Sequence, residues 1–373
     1  MTPDAILKAV CADLADGPLP HIGRATELVR KMLPLGTEAD VAELAEAALA
    51  QVCGLGPLQR FLADPTVNEV MVNNGGDVWI ERNGAIVRAG RLEAEVLPRI
   101  IERILSPLGR RLDRLSPIVD ARLADGSRVC AVIPPVAVDG PCLTVRRFGV
   151  RRRGLEEFAD APVVALLGDI VAARCNVLIS GATSSGKTTL LNTLVAATLG
   201  RAEPAPDHQR IVTLEDIAEL QLDATHVLRL ETRPATVDGT PAVTMTDLVR
   251  TALRLRPDRI VLGEIRGPEV VDMLAAMNTG HAGSLSTCHA NGTPDALRRL
   301  ESLVVQHSPT WPLAAVRDTI HASLDIVVHV ERRPDGQRRV AEVLELAPPD
   351  SAGTHRVLVT GGRLCAALTR RRA

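Results

Sequence analysis

The chain has 373 residues, 46% of them apolar, and carries 43 Lys and Arg against 45 Asp and Glu, a formal net charge of −2. That length suits two or three domains with cores of their own, and so balanced a charge supplies no global attraction to nucleic acid or anionic lipid. The aromatic side chains are only Phe61, Trp79, Phe148, Phe158 and Trp311, too few to offer a row of stacking platforms to unpaired bases.

The first residues, MTPDAILKAVCADLADG, have no basic start and no long apolar run, so no signal peptide is expected and a cytoplasmic location is the simplest. Ile6, Leu7, Val10 and Leu14 recur at helical spacing, as do Ile22, Leu28, Val29 and Leu33. Thr37 and Asp40 bracket the start of an Ala/Glu/Leu-rich helix that runs to Ala50. Residues 1–50 thus read as a helical region with a packing or adaptor role.

Residues 51–150 read as a small α/β domain. Gly54–Pro57 breaks the preceding helix. Val67–Val72 and Asp77–Glu81 are expected strands, joined by the NNGG turn at Asn73–Gly76. A second turn is expected at Arg82–Gly84, a helix over Glu95–Leu108, and strands over Arg128–Ile133 and Leu143–Phe148. The segment 146–153, RRFGVRRR, is either a solvated basic linker or, at Arg146 and Arg147, a pair of guanidinium forks suited to phosphate oxygens.

Residues 151–373 form the third region, and from 160 onward short strands and helices alternate, the pattern of a mostly parallel sheet covered by helices on both faces. Strands are expected over Cys175–Ser180, Arg210–Leu214, Arg259–Leu262 and Ser284–Thr287, and helices over Gly186–Leu199, Asp247–Leu255, Pro268–Asn278 and Thr293–Val305. A hairpin over Asp325–Val330 and Arg339–Leu346 and a short strand over His355–Val359 close the series. The apolar run Val163–Ala173 contains Asp169 and is too short to span a bilayer.

Four stretches in this region carry chemistry. The first is GATSSGKT, Gly181–Thr188, set between a strand and a helix as a phosphate-binding loop must be. Its glycines let backbone N–H groups approach phosphate oxygens, the following helix adds its positive end, Lys187 can reach the β- and γ-phosphates, and the Thr188 hydroxyl can hold Mg²⁺. The chain has only three lysines, Lys8, Lys31 and Lys187, and otherwise uses arginine. A compact ammonium fits a phosphate cradle where a planar guanidinium does not.

The second stretch is TLEDIAEL, whose Glu215, Asp216 and Glu219 follow a buried strand. Carboxylates there hold Mg²⁺ or orient water, or else Asp216 caps a helix. The third is RIVLGEIR, an apolar strand ending at Glu264, in the Walker B position, as a residue that positions the attacking water or one that pairs with Arg266. The fourth is TGHAGSLSTCHAN, whose His281 and His289 flank a short strand and suggest a γ-phosphate sensor more than a metal site. Seven scattered cysteines include no C-x-x-C pair, so neither a zinc module nor a disulfide framework is expected.

Together these four stretches resemble the type II/type IV secretion-system ATPases. LGPLQRFLADPTVNEVMVN, SPIVDARLADGSRV and GPCLTVRRF are further similar to one branch, the CpaF-type assembly ATPases of tight-adherence (Flp/Tad) pili. The resemblance covers roughly residues 52–346. It implies a RecA-like P-loop ATPase domain over 151–373 and a smaller, PAS-like α/β domain over 51–150. It implies ATP and Mg²⁺ as ligands, with Gly181, Ala182, Thr183, Ser184, Ser185, Gly186, Lys187, Thr188 and Thr189 around the nucleotide and Thr188 and Asp216 at the metal. The catalytic set it implies is Glu264, Glu215, Glu219, His289 and His281, with Arg146 and Arg147 reaching the phosphates from the domain junction. It implies a homo-hexameric ring, located in the cytoplasm and held at the inner face of the membrane by inner-membrane platform proteins; the few aromatics, the near-neutral charge and the histidine motif add the expectation of no specific nucleic acid as partner. The tetracysteine insert of type II secretion ATPases is absent, and neither residues 1–50 nor 354–373 match a motif of the family. The alternative is a nucleic-acid translocase or conjugation-type ATPase on the same core. A GTPase lacks its N-K-x-D motif here, and a small-molecule kinase lacks an evident acceptor pocket.

Overall fold

The computed structural model describes residues 2–15, 20–52, 54–82, 85–123, 125–147, 154–199, 209–222, 224–235, 239–348 and 355–370, in two compact units, Met1–Val150 and Arg151–Ala373.

The N-terminal unit begins with three helices, α1 (Pro3–Ala15), α2 (Ile22–Met32) and α3 (Glu38–Val52). Ile6, Val10, Leu14, Ala25, Val29, Val41, Ala45 and Ala48 close on one another as a small core of their own. Thr37 and Asp40 form the expected reciprocal cap at the start of α3: the Asp40 amide donates to Thr37 Oγ1 at 3.2 Å and the Thr37 amide donates to Asp40 Oδ2 at 3.1 Å. A short helix, α4 (Gln59–Ala63), leads into β1 (Val67–Asn73) and β2 (Asp77–Arg82). Their hairpin turns at Asn74 and Gly75, which take left-handed φ angles of 49° and 72°, the conformation that Asn and Gly adopt most readily. The unit continues with β3 (Ala85–Arg91), α5 (Val96–Leu105), β4 (Ile118–Arg122), β5 (Arg128–Val132) and β6 (Cys142–Arg146).

These six strands form one antiparallel sheet in the order β3-β2-β1-β6-β5-β4. Alternate residues, among them Val70, Val72, Val78, Ile80, Val129, Leu143 and Val145, face α5 and bury Leu97, Ile100, Ile101 and Ile104. β3 and β4 lie at the edges of the sheet and are not among the expected strands. β3 is exposed along most of its length, so it carries no hydrophobic alternation, and pairing with β2 alone makes it a strand. Asn83 and Gly84, where the second turn is expected, lie outside the described residues, as do 148–153 of the arginine-rich segment.

The C-terminal unit runs α6 (Ala161–Ala172), β7 (Val177–Gly181), α7 (Lys187–Leu199), β8 (Ile211–Glu215), β9 (Val227–Glu231), α8 (Met245–Ala252), β10 (Arg259–Leu262) and α9 (Glu269–Asn278). It then runs β11 (Leu285–His289), α10 (Thr293–His307), α11 (Leu313–Ser323), β12 (Ile326–Arg332), β13 (Arg338–Glu345), β14 (Arg356–Thr360) and β15 (Arg363–Leu364). The sheet order is β15-β14-β13-β12-β7-β11-β10-β8-β9; from β12 to β9 every pair is parallel, and β13, β14 and β15 extend the sheet antiparallel.

Both faces of the sheet are covered. α6 and α7 bury Leu166, Leu167, Ile170, Leu190, Leu191 and Leu194 against Val177, Ile179, Ile211, Val261 and Leu285. On the other face α8, α9, α10 and α11 bury Leu248, Val270, Met273, Leu300 and Ile320 against Leu178, Val212, Leu214, Ile260 and Leu262. The central strands are therefore apolar on both sides, the signature of a parallel sheet. The apolar run around α6 is one of these covering helices. Among the described residues no helix is long and apolar enough to cross a membrane.

Candidate functional site

Parallel strands end on a common edge, and four of the sequence motifs end there: β7 at Gly181, β8 at Glu215, β10 just before Gly263 and Glu264, and β11 at His289. Between β7 and α7 the chain turns tightly. Ser184 has φ of 60° and Gly186 of 101°, left-handed conformations that tip successive N–H groups to one side. A β-carbon on Gly181 would stand 2.4 Å from both Ser185 Oγ and the Val330 carbonyl, so only glycine fits there. Ala182, Thr183 and Ser184 are exposed, whereas Ser185 is buried with its hydroxyl unpaired.

Lys187 opens α7 and is only 7% exposed. Its Nζ donates to the carbonyls of Gly181 (3.0 Å) and Ala182 (2.9 Å) and to His289 Nδ1 (3.3 Å). Burial lowers the Lys187 pKa from the ordinary lysine value, and the charge of Glu264 opposes the shift. His289 Nε2 lies 3.1 Å from Glu264 Oε1. An ammonium only donates and a carboxylate only accepts, so the ring accepts at Nδ1 and donates from Nε2–H. Lys187, His289 and Glu264 thus form one chain of hydrogen bonds across the ends of α7, β11 and the β10 strand. Glu264 faces His289 rather than pairing with Arg266.

The acids after β8 divide. Glu215 is 3% exposed, and its Oε1 accepts from the Glu219 (2.8 Å) and Leu220 (3.0 Å) amides while Oε2 is buried without a partner. Burial pushes its pKa up to about 7, against the opposing pull of those two amides and of Arg229. A β-carbon on Gly263 would come within 3.1 Å of Glu215 Cγ, so that glycine lets the ends of β8 and β10 close on one another. Asp216 is not the cap of a helix: residues 217–222, which follow it directly, are not helical. Its carboxylate pairs with Arg266 and accepts from Thr232 Oγ1 at 3.3 Å. Glu219 is half-buried beside Glu215.

The two expected sensor histidines are not brought together. Leu285 pairs with Val177 and His289 with Gly181, so β11 leads away from His281 toward the loop, and its two ends are roughly 13 Å apart at about 3.3 Å per residue. His281 lies at the other edge of the sheet, with Nδ1 3.2 Å from the Ala276 carbonyl at the end of α9. The expectation of a paired sensor is corrected accordingly: the intervening strand carries the second histidine to the loop and leaves the first behind.

Arg146 and Arg147 belong to the N-terminal unit. Arg146 ends β6, exposed and opposite Glu69. The Arg147 guanidinium donates to the Asp64 carbonyl and, at 3.1 Å, to that of Val67, fastening the start of β1. Arg338, which no motif singled out, lies against the phosphate-binding loop: its Nη1 donates to Thr189 Oγ1 at 3.1 Å. Ser180, one residue before the loop, has its hydroxyl 3.0 Å from Nδ1 of the buried His329 on β12. Neither contact has a local sequence signal, since each joins residues 149 positions apart.

The glycine turn, the exposed backbone of 182–184, a buried ammonium held by carbonyls and an orphaned Glu215 oxygen suit a polyphosphate with a divalent cation. Residues 51–362 match the family model described as Type II/IV secretion system protein. The chain is 38% identical over 309 residues to the putative conjugal transfer protein MT3759 of Mycobacterium tuberculosis, covering 79% of this chain and 85% of that one. It is 36% identical over 292 residues to the conjugal transfer protein TrbB of Rhizobium radiobacter, covering 76% and 85%. Among solved structures it is similar to the pilus retraction motor PilT with bound ADP, at a TM-score of 0.58, 19% identity and coverage of 80% and 83%, a likeness of fold.

Proposed function

The chain belongs to the type II/IV secretion system protein family, and we propose that it is an ATP-hydrolysing motor of that family, its RecA-like C-terminal unit turning over ATP with Mg²⁺. The observation that carries this reading is the Lys187–His289–Glu264 chain of hydrogen bonds at the mouth of a P-loop. The turn from Gly181 to Thr189 would cradle the phosphates with its N–H groups, and Lys187 would turn from its carbonyl partners to the β- and γ-phosphates. Thr188, with Asp216 in reach of the same edge once released from Arg266, would hold Mg²⁺, which when bound neutralises phosphate charge and templates the reaction. Glu264 would orient the attacking water, and His289, donating from Nε2, would keep that carboxylate aimed. Glu215 and Glu219 would shape the edge around it. Arg146 is the better of the two arginines for a phosphate contact, since Arg147 is engaged with backbone carbonyls.

The working form in this reading is a homo-hexamer acting on inner-membrane platform proteins from the cytoplasm. The N-terminal motifs favour assembly of a tight-adherence pilus. A second reading, a conjugation-type ATPase, is favoured by the relatives that bear conjugal-transfer names. ATP hydrolysis by the purified chain, with and without membranes bearing the inner-membrane platform proteins of a tight-adherence pilus, tests the reading. Turnover stimulated by those membranes and lost in Lys187→Ala supports it. Stimulation by DNA alone, or nucleotide affinity unchanged in Lys187→Ala, counts against it.

A further inference from the structure

The phosphate-binding loop has two flanks. On one side of β7 lies β11, which brings His289 and through it Glu264; on the other lie β12 and then β13. Arg338 is the first residue of β13 and reaches back over that second flank. Its Nη1 donates to Thr189 Oγ1 at 3.1 Å, and its Cδ lies 2.6 Å from where a β-carbon on Gly186 would sit. The arginine stem therefore packs on the loop where the missing glycine side chain leaves room, and places a guanidinium at the first turn of α7. Arg338 is half-buried, so the charge is held near the helix terminus rather than spread into solvent.

The polarity of the loop tells which part of a nucleotide would meet that guanidinium. Lys187 and Glu264 mark the end where the terminal phosphate is attacked. The phosphates nearer the nucleoside then fall to the opposite flank, along the N–H groups that follow Lys187, where Thr189 and Arg338 sit. We propose that Arg338 is a nucleotide-positioning residue that contacts the phosphate at the nucleoside end, so that it contributes to the binding of ATP and ADP alike and not to the cleavage step. A planar, permanently charged fork suits two-point contact with a phosphate that remains in place throughout the cycle. Gly186 serves the same arrangement, since any side chain there would displace the arginine stem.

This inference rests on the P-loop being a nucleotide site, and its test separates the two. Binding of ATP and of ADP is measured by calorimetry on the full chain, together with steady-state hydrolysis, for wild type, Arg338→Ala, Arg338→Lys and Lys187→Ala. Arg338→Ala is expected to weaken ATP and ADP by the same factor, roughly 10- to 100-fold, the scale of a charge-assisted hydrogen bond. Its kcat at saturating ATP stays at the wild-type value, and Arg338→Lys recovers part of the affinity. If Arg338 only staples β13 to α7, the thermal midpoint of the ligand-free chain falls while both affinities stay within about twofold of wild type, and the inference is overturned. A loss confined to ATP, or confined to kcat, overturns it as well, because it moves the guanidinium to the cleavage end. Loss of binding in Lys187→Ala with none in Arg338→Ala defeats this inference alone. A wild-type chain that binds neither nucleotide defeats the nucleotide reading beneath it.

Discussion

Replacing Glu215 by glutamine should change how the stability of the C-terminal unit depends on pH. Burial raises the Glu215 pKa from 4.5 to about 7 in the folded chain. Between those two values the folded state keeps a proton that the unfolded state has released, so stability falls as pH rises. The neutral carboxyl's contribution is complete below pH 4.5 and is lost by the time the pH has passed through about 7. From pH 4.5 to about 7, at about 1.4 kcal/mol per pH unit, the loss is about 3.5 kcal/mol. Glutamine has nearly the same shape, offers an oxygen to the Glu219 and Leu220 amides, and does not titrate. Denaturant unfolding of the ligand-free, metal-free chain at intervals from pH 4 to pH 8.5 would measure the difference. A Trp79→Phe background leaves Trp311 as the single indole, so the fluorescence reports the C-terminal unit. Wild type should lose about 3.5 kcal/mol relative to Glu215→Gln across that range, with any fixed offset from the buried amide nitrogen cancelling. A difference that stays level with pH, or that grows toward acid, would refute the claim that Glu215 is held buried and protonated by its surroundings.

Gly186→Ala forces a side chain onto a residue with φ of 101° and into the Arg338 stem. It should cost about 1–3 kcal/mol of stability and weaken ATP and ADP, as read by calorimetry alongside thermal unfolding. His289→Ala removes the ring that links Lys187 to Glu264 and should lower kcat by about 10²-fold, the scale of a positioning effect on acid–base chemistry. His281→Ala, at the opposite edge of the sheet, should leave kcat near wild type in the same assay, and an equal loss from both would restore a shared role for the pair.

Much of this architecture was legible because local chemistry announced it. The Thr37–Asp40 cap, the left-handed Asn74–Gly75 turn and the apolar strands around GATSSGKT each follow from short-range rules that tertiary packing reinforces. Half-exposed β9 and mostly exposed β3 were harder to see, since a strand that gains its place by pairing at an edge needs no hydrophobic alternation. At the site, the P-loop, Glu264 and His289 could be placed from motif and strand order. The separation of His281 from His289 was implicit in the strand they flank, because five residues of strand carry its two ends to opposite edges of the sheet whichever way it runs. Glu215 looked like an acid facing the ligand and instead spends one oxygen on the chain that follows it. Arg338 had no signal at all: only the antiparallel return of β13 beside β12 brings it to Thr189.

The most direct measurement of the account is made on Glu264→Gln, comparing ATP binding with ATP turnover on the same preparation. Glutamine keeps the size of the side chain and a hydrogen bond toward His289 while removing the charge that would orient water. ATP affinity should remain within about threefold of wild type, and the rate of hydrolysis should fall by about 10²-fold or more. Near-normal turnover, or ATP binding lost together with turnover, would contradict it.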